Sequence, residues 1–167
     1  MGINSDGKRI LSVGDNNNEK EAAYVSRAAS FEVEITESMI DCFAALSGDK
    51  SPLHMNCDFA QANGFSKRVT HGVLISALFS QLIGMHLPGH WALLRALNVK
   101  FYKPTYPGDK LIVTGEVEHF SEGTNVISMR LRAVNKASGE LNAMGQAQVG
   151  LLNENGGGPM ALFPQAL

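Results

Sequence analysis

Asp49 and His54 stand in the run Gly48-Asp49-Lys50-Ser51-Pro52-Leu53-His54, which puts a carboxylate and an imidazole on one short, proline-stiffened stretch. Pro52 fixes its own φ and biases Ser51 toward extended backbone, so a helix is not expected to continue through it. A turn of this kind can aim an acid and a base at one point, as proton transfer requires. An Asp here can equally cap a helix, and a His beside Pro can be an ordinary turn residue. Spacing alone leaves both readings open.

The surrounding pattern supplies elements to hold such a turn. Phe31-Glu32-Val33-Glu34-Ile35 alternates and predicts a strand with one buried face. Thr36 is a suitable N-cap, and Met39, Ile40, Phe43, Ala44 and Leu46 recur at helical spacing until Gly48 stops the helix. A second short helix is expected from about Asp58 to Ala62, ended by Asn63-Gly64. Thr70-His71-Gly72 opens a long apolar pattern that closes near Pro88-Gly89, apolar on more than one face, which predicts a core helix enclosed by other elements.

Downstream the period becomes two. Alternation begins around Asn98-Val99-Lys100-Phe101, and Pro104 with Pro107-Gly108-Asp109 forces a turn. Leu111 to Phe120 reads as a strand, as does Ile127 to Ala133; Asn135 to Gly139 makes a hairpin turn, and Leu141 to Leu151 alternates with Asn142, Gln146 and Gln148 outward. A series of long strands implies a strongly curved antiparallel sheet, with the helix filling its concave face. The fold class is α+β.

The 167 residues fit one domain, expected over 23–153, between a flexible arm (1–22) and a flexible tail (154–167) whose apolar Met160-Ala161-Leu162-Phe163 is a candidate docking segment. A net charge of −2 argues against a nucleic-acid partner. Cys42 and Cys57 match no metal spacing and make no disulfide framework, which suits a reducing cytosol. Met1 to Lys20 lacks the apolar core of a signal peptide, and Val73 to Leu87 is too short to span a bilayer, so no membrane partner is expected. Nucleotide-binding and nucleophile-elbow motifs are absent.

Ala45-Leu46-Ser47-Gly48-Asp49-Lys50-Ser51-Pro52-Leu53-His54, followed by Phe59-Ala60, Thr70-His71-Gly72-Val73-Leu74 and Phe79-Ser80, resembles the MaoC-like, (R)-specific enoyl-CoA hydratases of the hotdog fold. Phe101-Tyr102-Lys103-Pro104, Pro107-Gly108-Asp109 and the Asn135 to Glu140 hairpin extend the resemblance over about residues 25 to 152. It implies a long helix wrapped by a curved sheet, and interconversion of trans-2-enoyl and (R)-3-hydroxyacyl thioesters of CoA or acyl carrier protein. Asp49 and His54 match the family's catalytic pair, and Gly72 the position whose backbone N–H meets the developing enolate. Ser80 matches a supporting position. Ser51 stands where the family most often has Asn, and Asn56 where it has Asp; Ser51 is taken as a supporting variant.

The resemblance also implies a homodimer or dimer of dimers, and no cofactor or metal. Leu74, Leu78 and Leu82 either line an acyl pocket or are plain core. His71 is expected to orient the helix entry. His86 and His90 are separated by Pro88-Gly89 and make a poor metal pair, and Cys57 reads as a structural thiol. The competing readings are a hotdog thioesterase and a non-catalytic acyl-thioester or carrier-binding module.

Overall fold

The computed structural model describes residues 24–152; the expected arm and tail, Met160 to Phe163 included, lie outside them. Strand β1 (Ala28–Glu34) is followed by helices α1 (Glu37–Ser47), α2 (Pro52–Met55), α3 (Cys57–Ala62) and α4 (Gly72–Met85), then by strands β2 (Ala92–Phe101), β3 (Lys110–Ser121), β4 (Val126–Asn135) and β5 (Leu141–Leu151). The strands form one sheet in the order β1-β3-β4-β5-β2, antiparallel throughout, and α4 packs across it.

Local chemistry sets the element ends. Thr36 Oγ1 accepts a hydrogen bond from the Met39 N–H at 3.2 Å and starts α1. Gly48, at φ +78°, ends it in the left-handed conformation with its N–H on the Ala44 carbonyl. In the β4–β5 turn, Asn135 Oδ1 accepts the N–H groups of Ala137 (2.9 Å) and Ser138 (3.1 Å).

The core lies between α4 and the sheet. Leu74, Ile75, Leu78, Phe79, Leu82 and Ile83 are buried, a single stripe along the helix. Gly115, Leu131 and Gly145 form one row across β3, β4 and β5. A Cβ on Gly115 would stand 2.4 Å from Leu82 Cδ2, and one on Gly145 3.3 Å from the Phe79 ring. The two glycines therefore let α4 approach the sheet more closely than alanines would. Complete burial of Phe79 and Leu82 contributes roughly 2 kcal/mol apiece.

Four expectations change. The opposite face of α4 is not enclosed: Val73 is 63% and Met85 74% exposed, since the chain's own sheet covers one side only. Leu46 points away from the body and is 85% exposed. Strand β2 starts at Ala92, well before Asn98, because a bulge between Leu94 and Ala96 shifts the phase and erases the alternation. Asn142 is buried rather than outward, its amide donating to the Pro104 carbonyl and to Thr105 Oγ1 of the loop after β2. No helix among the described residues is long and apolar enough to cross a membrane.

Candidate active site

The Gly48 turn releases the chain into a tight local network. Ser47 Oγ donates to the Phe43 carbonyl at 2.7 Å and accepts the Asp49 N–H at 3.2 Å. Asp49 Oδ1 accepts the Ser51 N–H at 3.1 Å. Pro52 does not simply hold an extended turn, as expected; it occupies the first position of α2, where its missing N–H costs no intrahelical bond. Helical geometry from there turns His54 back toward Asp49.

His54 Nε2 lies 3.9 Å from Asp49 Oδ2. The imidazole is oriented from a distant part of the chain: its Nδ1 is 2.7 Å from the Val69 carbonyl oxygen. A carbonyl only accepts, so Nδ1 carries a proton and Nε2 is the ring nitrogen that faces the carboxylate. Val69 is fixed in turn by its own N–H on the Leu53 carbonyl at 3.1 Å. The next residue upstream, Arg68, pairs with Glu37 and Asp41 of α1.

A cavity of about 330 Å³ opens beside this pair, lined by His54, Gly72, Ile75, Phe101 and Tyr102, with Asn142 among its polar walls. The Asp49 side chain is half exposed and stands outside the wall, while that of His54 is 14% exposed and forms part of it. Gly72 is the first residue of α4. The opening N–H groups of a helix have no acceptor within it and carry the positive end of its dipole, so this end favours developing negative charge. A Cβ on Gly72 would sit 3.0 Å from Phe101 Cζ, so an alanine there would have to push the ring of the cavity wall aside by a few tenths of an ångström.

Other expected residues are less central. Ser51 contributes its backbone N–H to Asp49, and its hydroxyl makes no capping bond. Asn56 caps α3 by accepting the Phe59 N–H at 2.9 Å, a task its amide oxygen performs as well as a carboxylate. Ser80 is exposed on the outer side of α4 and does not line the cavity. Leu74, Leu78 and Leu82 are buried and also absent from its walls, which sides with core over acyl pocket. His86 stacks on Phe31 and His90 leans on Trp91, so they face different partners. Cys42 and Cys57 are exposed free thiols.

His71 lies closer to Asp49 and His54 than its sequence position suggested. Its ring stacks on His54 with centroids 3.8 Å apart, and its Nε2 is 2.9 Å from the Asp49 backbone oxygen. Asp49, His54 and His71 bring three metal-capable atoms within 4.8 Å of one another. The two rings are tilted 30° from parallel. Val69, Asn142 and Thr105 were not singled out in the sequence; a backbone carbonyl leaves no residue signature, and Asn142 looked like one more outward polar position.

Comparison with known proteins follows the same outline. The sequence model of the MaoC-like domain matches residues 20–138. An (R)-specific enoyl-CoA hydratase of Aeromonas caviae is 33% identical over 112 residues, spanning 67% of this chain and 83% of that protein. A protein of the same name from Rhodospirillum rubrum is 39% identical over 88 residues, 53% of this chain and 61% of the relative. The solved structure of R-hydratase PhaJ1 from Pseudomonas aeruginosa, unliganded, superposes with a TM-score of 0.73 at 32% identity, over 78% of this chain and 83% of that one.

Proposed function

We propose that this chain, which belongs to the MaoC-like domain family, adds water to trans-2-enoyl thioesters to give (R)-3-hydroxyacyl thioesters, and catalyses the reverse dehydration. The supporting observation is the Asp49–His54 geometry. The 3.9 Å between Nε2 and Oδ2 is too long for a direct bond. It suits one water bonded to both at about 2.8 Å, which then subtends roughly 90°. Water so held donates one hydrogen to each group and keeps its oxygen lone pairs free for the substrate.

In the forward direction the pair takes one proton from this water as its oxygen bonds to Cβ, and one proton is returned to Cα. Charge collects meanwhile on the thioester oxygen. The amide end of α4 at Gly72, on the wall shared with His54, is placed to receive it, and donors aimed at developing charge lower such barriers by several kcal/mol. The Val69 carbonyl keeps the proton on His54 Nδ1, which reserves Nε2 for the exchange. Every proton in this scheme comes from water or from the protein.

The acting unit is proposed to be a pair of chains. Edge strand β2 leaves Phe101 52% exposed, and the outer stripe of α4 leaves Val73 and Met85 in solvent, surfaces that a second copy would cover. CoA and acyl carrier protein both remain candidate handles, since the acid–base step sees only the acyl group. The decisive experiment follows the loss of enoyl absorbance with crotonyl-CoA and with crotonyl-acyl carrier protein. Turnover of at least one supports the reading. Release of free thiol without hydration would instead identify a thioesterase, and turnover unaffected by Asp49→Asn would remove the roles given to the pair.

A further inference from the structure

We propose that His71 is a positioning residue that sets the carboxylate, the imidazole and the amide end of α4 relative to one another; its catalytic part rests on the hydratase reading above. His71 immediately precedes α4 and sits at its N-cap position, yet its side chain makes no capping bond there. At 2% exposure, the ring reaches sideways instead. Nε2 meets the Asp49 carbonyl at 2.9 Å, the ring face lies on His54 at 3.8 Å, and Phe43 of α1 leans on it at 5.0 Å.

The proton on His71 is assigned by its contact with the Asp49 carbonyl. The Asp49 carbonyl can only accept, so Nε2 is the donor. Nδ1 is buried with no hydrogen-bond partner; a proton there would be a buried donor without an acceptor, which costs roughly 1–3 kcal/mol. The neutral ring is therefore the Nε2–H tautomer, with Nδ1 bare. His54 has the opposite one, Nδ1–H on the Val69 carbonyl with bare Nε2. Two stacked imidazoles of opposite tautomer thus divide the work: one exchanges protons at its exposed end, and the other keeps its proton fixed and holds the backbone of the partner carboxylate. Because Gly72 is bonded directly to His71, the same ring ties the start of α4 to this pair. An apolar side chain would fill the volume without supplying the bond.

The test uses the full chain with 15N-labelled histidine. Long-range proton–nitrogen correlation should show His71 protonated at Nε2 and bare at Nδ1, with the reverse for His54, each assigned by substituting the five histidines in turn. In enoyl-thioester hydration, His71→Leu should lower kcat by about tenfold or more while KM stays within about threefold, the loss expected of misplaced rather than missing groups. His71→Gln, which offers an N–H about where Nε2 stands, should recover most of that rate. A proton on His71 Nδ1 would overturn the proposal, as would a folded Leu variant of normal kcat or a Gln variant as slow as the Leu one. If the Leu variant does not fold, the Gln variant and the nitrogen pattern still decide. A wild-type chain inactive on every enoyl thioester would reject the hydratase reading instead, and the nitrogen pattern would judge the hydrogen bond separately.

Discussion

The α4–sheet core and the Asp49–His54 turn are both well determined, by opposite means. In the core, position follows from removing apolar side chains from water. Phe79 and Leu82 sink where Gly115 and Gly145 leave room, and the positioning force is broad and tolerant of small shifts. At the turn nearly every contact is polar and directional: Ser47 to Asp49, Ser51 to Asp49, Val69 to His54 and His71 to Asp49. The Asp49 side chain is half exposed there, and little stability rests on it. Stability and catalysis should therefore separate on mutation.

The largest effect is expected from the core. Leu82→Ala, at a fully buried position, should lower unfolding free energy by about 2–5 kcal/mol in urea titration, with kcat of the remaining folded protein near normal. Asp49→Asn should do the reverse: a fall in hydration rate of at least about a hundredfold, near 2.7 kcal/mol of barrier, with stability changed by less than about 0.5 kcal/mol because the side chain is half exposed. A large loss of stability in that variant would break the contrast.

Gly72→Ala lies between the two regions. Its Cβ would press on the Phe101 ring at 3.0 Å, so a rate loss of about tenfold is expected with about 1 kcal/mol of destabilisation; unaltered kinetics would show that the ring swings aside freely. The smallest effect belongs to the surface. Lys136→Ala, which removes the pair with Glu32 across the β1 side of the sheet, should cost under about 1 kcal/mol and vanish at high salt, and it sharpens the comparison as a baseline for polar contacts outside the site.

The same contrast explains what could be read from residue order. Thr36, Gly48 and the alternation through Leu111 to Phe120, Ile127 to Ala133 and Leu141 to Leu151 announced their elements, because caps and periodic burial leave marks in side-chain type. The first half of β2 left none, since its bulge cancels the period. Leu46 misled because helical spacing reports a face without saying whether anything covers it. Asp49 and His54 were legible as a pair through Pro52. The carbonyl of Val69 was not, because every residue has one and only folding chooses which one faces His54. His71 was visible as a helix-entry residue, but its grip on Asp49 spans 22 positions and needs three dimensions to be seen.

The glycine row has one more effect. Phe79 and Leu82 act as two teeth set into bare sockets on β5 and β3, and teeth in sockets resist sliding as well as lifting. α4 is thereby indexed along its own axis, like a rod held by two notches. The distance from those notches to its first amide becomes a built-in ruler that keeps Gly72 at a constant reach from the Asp49 turn.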